Sequence, residues 1–134
     1  MGSWGVGSPN CLLLDHWALL VQPIFDETPY LVGSATVSSS WRDVDVRVVM
    51  DDEKFDAWFG DSYAVANLHG AKWSALMTAI SVWGQKVTGL PIDFQVQRRS
   101  KIAEADWEKA RHPLGIFAVE GELVTCRITR REQL

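Results

Sequence analysis

The chain has little cysteine, no long apolar run and no basic N-terminal stretch, and each absence excludes something. Its two cysteines, Cys11 and Cys126, stand near opposite ends of 134 residues with no CxxC or Cys/His spacing. A zinc ribbon or a disulfide scaffold is therefore disfavoured, and a reducing, cytoplasmic setting is the simpler expectation. The first basic residue is Arg42, so the charged start of a secretory leader is missing. Val6 stands where an N-myristoylation signal needs Ser or Thr. The apolar run Cys11 to Val21 contains Asp15 and His16 and is too short and too polar to span a bilayer, so no membrane partner is expected. A formal net charge of −4 excludes a protein that coats nucleic acid by electrostatics alone. That charge is uneven: residues 1–97 hold 5 Lys/Arg against 11 Asp/Glu, and residues 98–134 hold 8 against 6. The tail has the sign to touch phosphates, although a solvated charged surface is the plainer reading.

What is present reads as one domain over residues 1–134. The chain is 47% hydrophobic and long enough for a core without staples. Residues 1–10, rich in Gly, Ser and Pro, are expected to fray. Residues 11–22 predict a helix with Leu13, Trp17, Leu20 and Val21 inward. Tyr30-Leu31-Val32 predicts a short buried strand that ends in a Gly33-Ser34 turn. Asp43 to Met50 alternates valine with charge, which places Val44, Val46 and Val48 on the core and Asp43, Asp45 and Arg47 on an accessible cleft. Residues 51–60 predict a short helix with an acidic first turn. Residues 71–87 predict a longer one with a stripe of Trp73, Leu76, Met77, Ile80, Trp83 and Val87, stopped by Gly89 and Pro91. Residues 92–97 alternate again, with Asp93, Gln95 and Gln97 outward. A short helix over 101–110, a turn over 112–115 and a hairpin of 116–119 with 123–129 around Glu120-Gly121 complete the reading.

Two aspartates two apart on a strand lie about 6–7 Å apart at the backbone and lean into the same space. Carboxylates at 4 Å repel by roughly 4 kcal/mol at an effective dielectric of 20. A divalent cation between them turns that repulsion into attraction, and hard oxygen donors suit Mg²⁺. Asp93, on a neighbouring strand with the same facing, would complete a two-metal clamp.

These residues resemble a known family. Val32-Gly33-Ser34, a short spacer and then Asp43-Val44-Asp45-Val46 are similar to the signature of the DNA polymerase β-like nucleotidyltransferases, and Ile92-Asp93-Phe94 is similar to the strand that supplies that family's third carboxylate. The small, minimal members are nearest in size. The resemblance covers residues 11–97 and leaves 98–134 as a tail of its own. It departs at the spacer, where Ser38-Ser39-Ser40-Trp41-Arg42 replaces a Gly- and Arg-rich stretch and Arg42 replaces a Ser.

The resemblance implies an α+β nucleotidyltransferase fold: a small mixed β-sheet flanked by helices, with the C-terminal β-hairpin added to it. It implies transfer of a nucleoside monophosphate from an NTP such as ATP to a hydroxyl by two Mg²⁺ ions, with pyrophosphate released. Asp43, Asp45 and Asp93 would be catalytic and metal-ligating; Gly33 and Ser34 would bind the triphosphate. Arg47 would reach a phosphate or pair with an aspartate, the pair being slightly favoured. Arg42 and Lys72 would assist the triphosphate or stay on the surface. Trp41 would stack on a base or, more simply, pack beside the strand. The histidines 16, 69 and 112 are expected to be structural or solvated. The acceptor is left open among RNA, protein and small molecule, as is a homodimer or protein partner. The alternatives are a non-catalytic nucleotide- or partner-binding domain, such as the antitoxin-like partner of a toxin, and a metal-dependent phosphohydrolase. The last is disfavoured because no His neighbours the acidic strand.

Overall fold

A computed structural model describes residues 10–36, 42–60, 70–109, 111–115, 118–119 and 122–123. Among them, four helices and six strands follow in the order α1 (Asn10–Phe25), β1 (Tyr30–Val32), β2 (Val44–Met50), α2 (Asp52–Phe59), α3 (Ala71–Thr88), β3 (Ile92–Arg98), α4 (Glu104–Trp107), β4 (His112–Pro113), β5 (Ala118–Val119) and β6 (Glu122–Leu123). The first four strands form one mixed sheet in the order β3-β2-β1-β4. β2 and β3 are parallel, and β1 is antiparallel to both β2 and β4. β5 and β6 pair as a separate hairpin with Val119 opposite Glu122. The remainder of the expected hairpin, and residues 1–9, lie outside the described residues.

Alternation sets the two faces of the sheet. Val44, Val46, Val48 and Met50 are buried, as are Ile92, Phe94 and Val96, while the residues between them are half-exposed. The buried face meets α1, α2 and α3 through Trp17, Phe25, Phe55 and Trp73. Trp17 and Phe94 meet edge to face at 6.0 Å, and Gly84 of α3 leaves room for Trp17, since a Cβ there would stand 2.8 Å from the indole. Local chemistry bounds the helices. The Asp51 carboxylate accepts from the Lys54 N–H at the start of α2, and Gly89 caps α3 in the left-handed conformation at φ 73°.

β3 is an edge strand, yet its free side is not bare. Trp73 Nε1 donates to Val96 O (2.9 Å) and Gln85 Nε2 to Ile92 O (3.0 Å). Ser81 Oγ accepts from the Phe94 N–H (2.9 Å), and Met77 Sδ accepts from the Val96 N–H (3.1 Å). These side chains are four apart on α3. Four helical residues rise about 6 Å and two strand residues about 6.6 Å, so one helix turn keeps step with one strand repeat. Side chains of α3 thus occupy the side where another strand would pair.

Several expectations change. The inward side of α1 is Cys11, Leu14, Asp15, Trp17, Ala18, Val21 and Phe25. Leu13 and Leu20 are 37% and 45% exposed, beside outward Leu12, Leu19 and Ile24. The helix expected over 101–110 is only Glu104–Trp107, preceded by a 3-10 turn over Arg99–Lys101. His112 and Pro113 are a short edge strand on β1 rather than a turn, a position proline tolerates because its missing N–H faces outward. Cys11 is disulfide-bonded. No described helix is long and apolar enough to cross a membrane.

Candidate active site

The parallel pairing of β2 and β3 sets Asp45 directly beside Asp93. Both are the second residues of their strands and both lie on the half-exposed face. Asp43 is exposed and immediately precedes β2. On the other side of β2, Val32 at the end of β1 pairs with Asp45, so the chain leaves β1 into the Gly33 turn directly over that carboxylate. A Cβ on Gly33 would lie 2.5 Å from Asp45 Oδ2, and the residue holds φ +80°, a left-handed value that glycine adopts without cost. Gly33–Thr36 form a 3-10 turn in which Thr36 Oγ1 donates to Gly33 O (2.7 Å). Ser34 belongs to that turn by its backbone; its side chain, like Trp41 and His69, lies outside the described residues.

The electrostatics join the three acids. Burial pushes the Asp45 carboxyl above its ordinary value, Arg47 opposes the rise, and the charges of Asp93 and Asp43 add to it. Asp45 therefore feels both other carboxylates. Arg47 lies between the strands. Its Nη1 donates to Asp93 O (2.6 Å) and Val46 O (3.1 Å), and its Nη2 stands 3.4 Å from Asp93 Oδ2 and 3.7 Å from Asp45 Oδ1. The expected ion pair is formed, with both Asp45 and Asp93. Arg42 and Lys72 are exposed.

Three carboxylates against one guanidinium leave an excess of about two negative charges, and an all-oxygen donor set matches a hard divalent cation. The donors do not yet converge: among the described residues no group of three His, Cys, Asp or Glu is placed to hold a metal ion. Asp45 and Asp93, with Asp43 swinging in from the strand's start, are the residues that would hold one.

The same sheet face continues away from the acids. Tyr30 stands beside Arg47, Val49 and Gln97 follow past it, and Arg99, Trp107 and Arg111 lie against this face. A small cavity of about 200 Å³ runs from Gly33 and Arg47 to Lys109 and Arg111. Beyond it a larger one of about 520 Å³ is lined by Tyr30, Val49, Arg99, Trp107 and Arg111. Sequence reasoning gave these residues no role. The positive balance of residues 98–134 was the available signal, but it named no position.

Comparison of the chain with models of protein families, with curated proteins and with solved structures finds no match.

Proposed function

We propose that the chain is a nucleotidyltransferase that moves a nucleoside monophosphate from a nucleoside triphosphate to a hydroxyl. The observation that carries this reading is the side-by-side placement of Asp45 and Asp93 on parallel strands, under a positive-φ glycine turn that only a residue without a Cβ can make so close to a carboxylate.

In the reaction the acceptor oxygen attacks the α-phosphorus, forming one P–O bond. The bond to the β-phosphate bridging oxygen breaks, and pyrophosphate leaves with its electron pair. When bound, Mg²⁺ neutralises phosphate charge and makes the attacking hydroxyl more acidic. The chain's own groups do the rest. The Gly33 turn lets backbone N–H groups approach the triphosphate. Asp43 and Asp45 supply the negative charge that holds the cations. Asp93, whose side chain is 42% exposed, accepts the acceptor's proton on its carboxylate. Arg47 fixes Asp93 through its main-chain carbonyl, so that carboxylate is oriented before substrate arrives.

A second reading has an observation of its own. Arg47 already pairs with two of the acids, and no three-donor group is formed among the described residues. Both suit a domain that binds a nucleotide or protein partner without chemistry. The experiment that separates them is incubation with each α-labelled triphosphate, Mg²⁺ and a crude cell extract, using the parent and Asp45→Asn. The transferase reading expects label in an RNA, protein or small-molecule fraction with the parent only. Equal labelling by both, or none with the parent, removes it.

A further inference from the structure

The larger cavity on the sheet face holds a chain of alternating charge and ring. Arg99 Cζ stands 3.9 Å from the Trp107 ring centroid, Arg111 Cζ 4.5 Å from the same ring, and Arg111 Cζ 5.2 Å from the ring of Tyr30. Stacking on a ring uses the face of a guanidinium and leaves its in-plane N–H donors free. Among the described residues Arg111 has no carboxylate partner, and Arg99 has only exposed Glu104 at 4.0 Å. The acids that line the cavity are engaged elsewhere: Glu27 pairs with Lys54 at 2.7 Å, and Asp51 caps α2. Burial also lowers the affinity of Arg111 for its proton, the sign of a cation short of water. Two ring-stacked guanidinium groups, Arg111 partly buried and Arg99 held only by a long contact to exposed Glu104, are suited to a planar or tetrahedral oxyanion.

From this we infer that the Arg99–Trp107–Arg111 cavity binds a phosphate group, and that it is the phosphate of the acceptor. The second half rests on the transferase reading above. Val49 lies four residues along β2 from Asp45, about 13 Å at strand spacing. The small cavity that Arg111 also lines runs between them to Gly33. A phosphate held in the larger cavity beside Val49 would thus sit too far from the acids to be the one attacked, and near enough to aim a hydroxyl at them. The acceptor is then a phosphorylated molecule, and its phosphate is read by fork-shaped donors rather than by a point charge.

The test is titration with inorganic phosphate, followed through the indole N–H resonance of Trp107 in ¹⁵N-labelled full-length protein, with chloride as control. A saturable shift is expected in the parent. Arg111→Gln should weaken phosphate binding at least tenfold, and Arg111→Lys should restore part of it if the glutamine variant proves poorly folded. Asp45→Asn should bind phosphate like the parent. No movement of Trp107, or equal movement in both Arg111 variants and the parent, overturns the site. A second measurement, affinity for a fluorescent triphosphate analogue, separates acceptor from donor. Arg111→Gln should leave it within twofold, and a tenfold loss there would assign the cavity to the triphosphate and overturn the acceptor half. Should the parent transfer no label in the earlier experiment while Trp107 still responds to phosphate, the transferase reading fails and the anion site stands.

Discussion

The open face of the sheet has two unlike ends. One is a trio of carboxylates beside a glycine turn, held by backbone register and eased by a single arginine. The other is two arginines alternating with two rings, in the order Arg99, Trp107, Arg111, Tyr30. The first end is built from strand residues and is short of positive charge. The second is built around Arg99 and Arg111, and the acids beside them, Glu27 and Asp51, are turned to Lys54 and to the start of α2. A phosphate ester needs both kinds of partner, cation-bearing acids where it reacts and guanidinium where it is held. On the proposed reading, that contrast would let a chain with a net negative charge handle an anionic substrate: charge is sorted along one surface rather than averaged over it.

The largest blow to that contrast is at Asp45. Loss of several kcal/mol of charge stabilisation corresponds to a fall in transfer of about a thousandfold or more for Asp45→Asn, measured by labelled transfer, with phosphate binding at the far end untouched. Retained transfer would break the assignment of the acid end. Next is Gly33→Ala. The added methyl would meet Asp45 Oδ2 at 2.5 Å in a left-handed backbone, so a loss of about a hundredfold in transfer is expected from displacement of the carboxylate, together with about 1–2 kcal/mol of stability by chemical denaturation.

Smaller effects sharpen the comparison. Because the folded protein raises the Asp45 pKa above 3.8, the proton is held more tightly in the fold than in the unfolded chain. The stabilisation that follows is fully present below the ordinary value and is lost as pH rises through the raised one. Asp45→Asn, which cannot ionise, should therefore melt about 2–5 °C above the parent at pH 7. The gap should close as the pH falls below about 4, read by calorimetry across pH. Mg²⁺ should raise the Tm of the parent and not of the variant. Smallest is Arg98→Gln, which removes ion pairs to Asp52 (2.9 Å) and Asp56 (3.0 Å) at the opposite end of β3. It should cost no more than about 1 kcal/mol and leave transfer unchanged.

Much of this was legible in residue order. The period-two alternation of 43–50 and 92–97 separates core from cleft without help, so the common facing of Asp45 and Asp93 follows from the sequence. Their adjacency does not, because it depends on the parallel register that the α2–α3 crossover selects. The α1 face was misjudged for a physical reason. With Leu12, Leu13, Leu14, Leu19 and Leu20 on all sides, apolar pattern gives no direction, and Trp17 chose the inward face by fitting Gly84. The helix over 101–110 was expected longer than Glu104–Trp107, and the His112–Pro113 strand was expected as a turn because pairing with β1, not local propensity, defines it. The arginine ladder escaped because stacking between positions 30, 99, 107 and 111 has no sequence period.

The matched steps of α3 and β3 have a consequence for the acid pair. Side chains at 73, 77, 81 and 85 work like a vernier, each tooth meeting a particular amide or carbonyl of the strand. Sliding β3 by one residue would lose all the teeth together and turn Asp93 from the solvent side into the apolar interior. The alignment of the two carboxylates is thereby locked from the outer flank as well as from the inner ladder, and Ser81, bonded to the neighbouring Phe94 amide, helps keep Asp93 in its place.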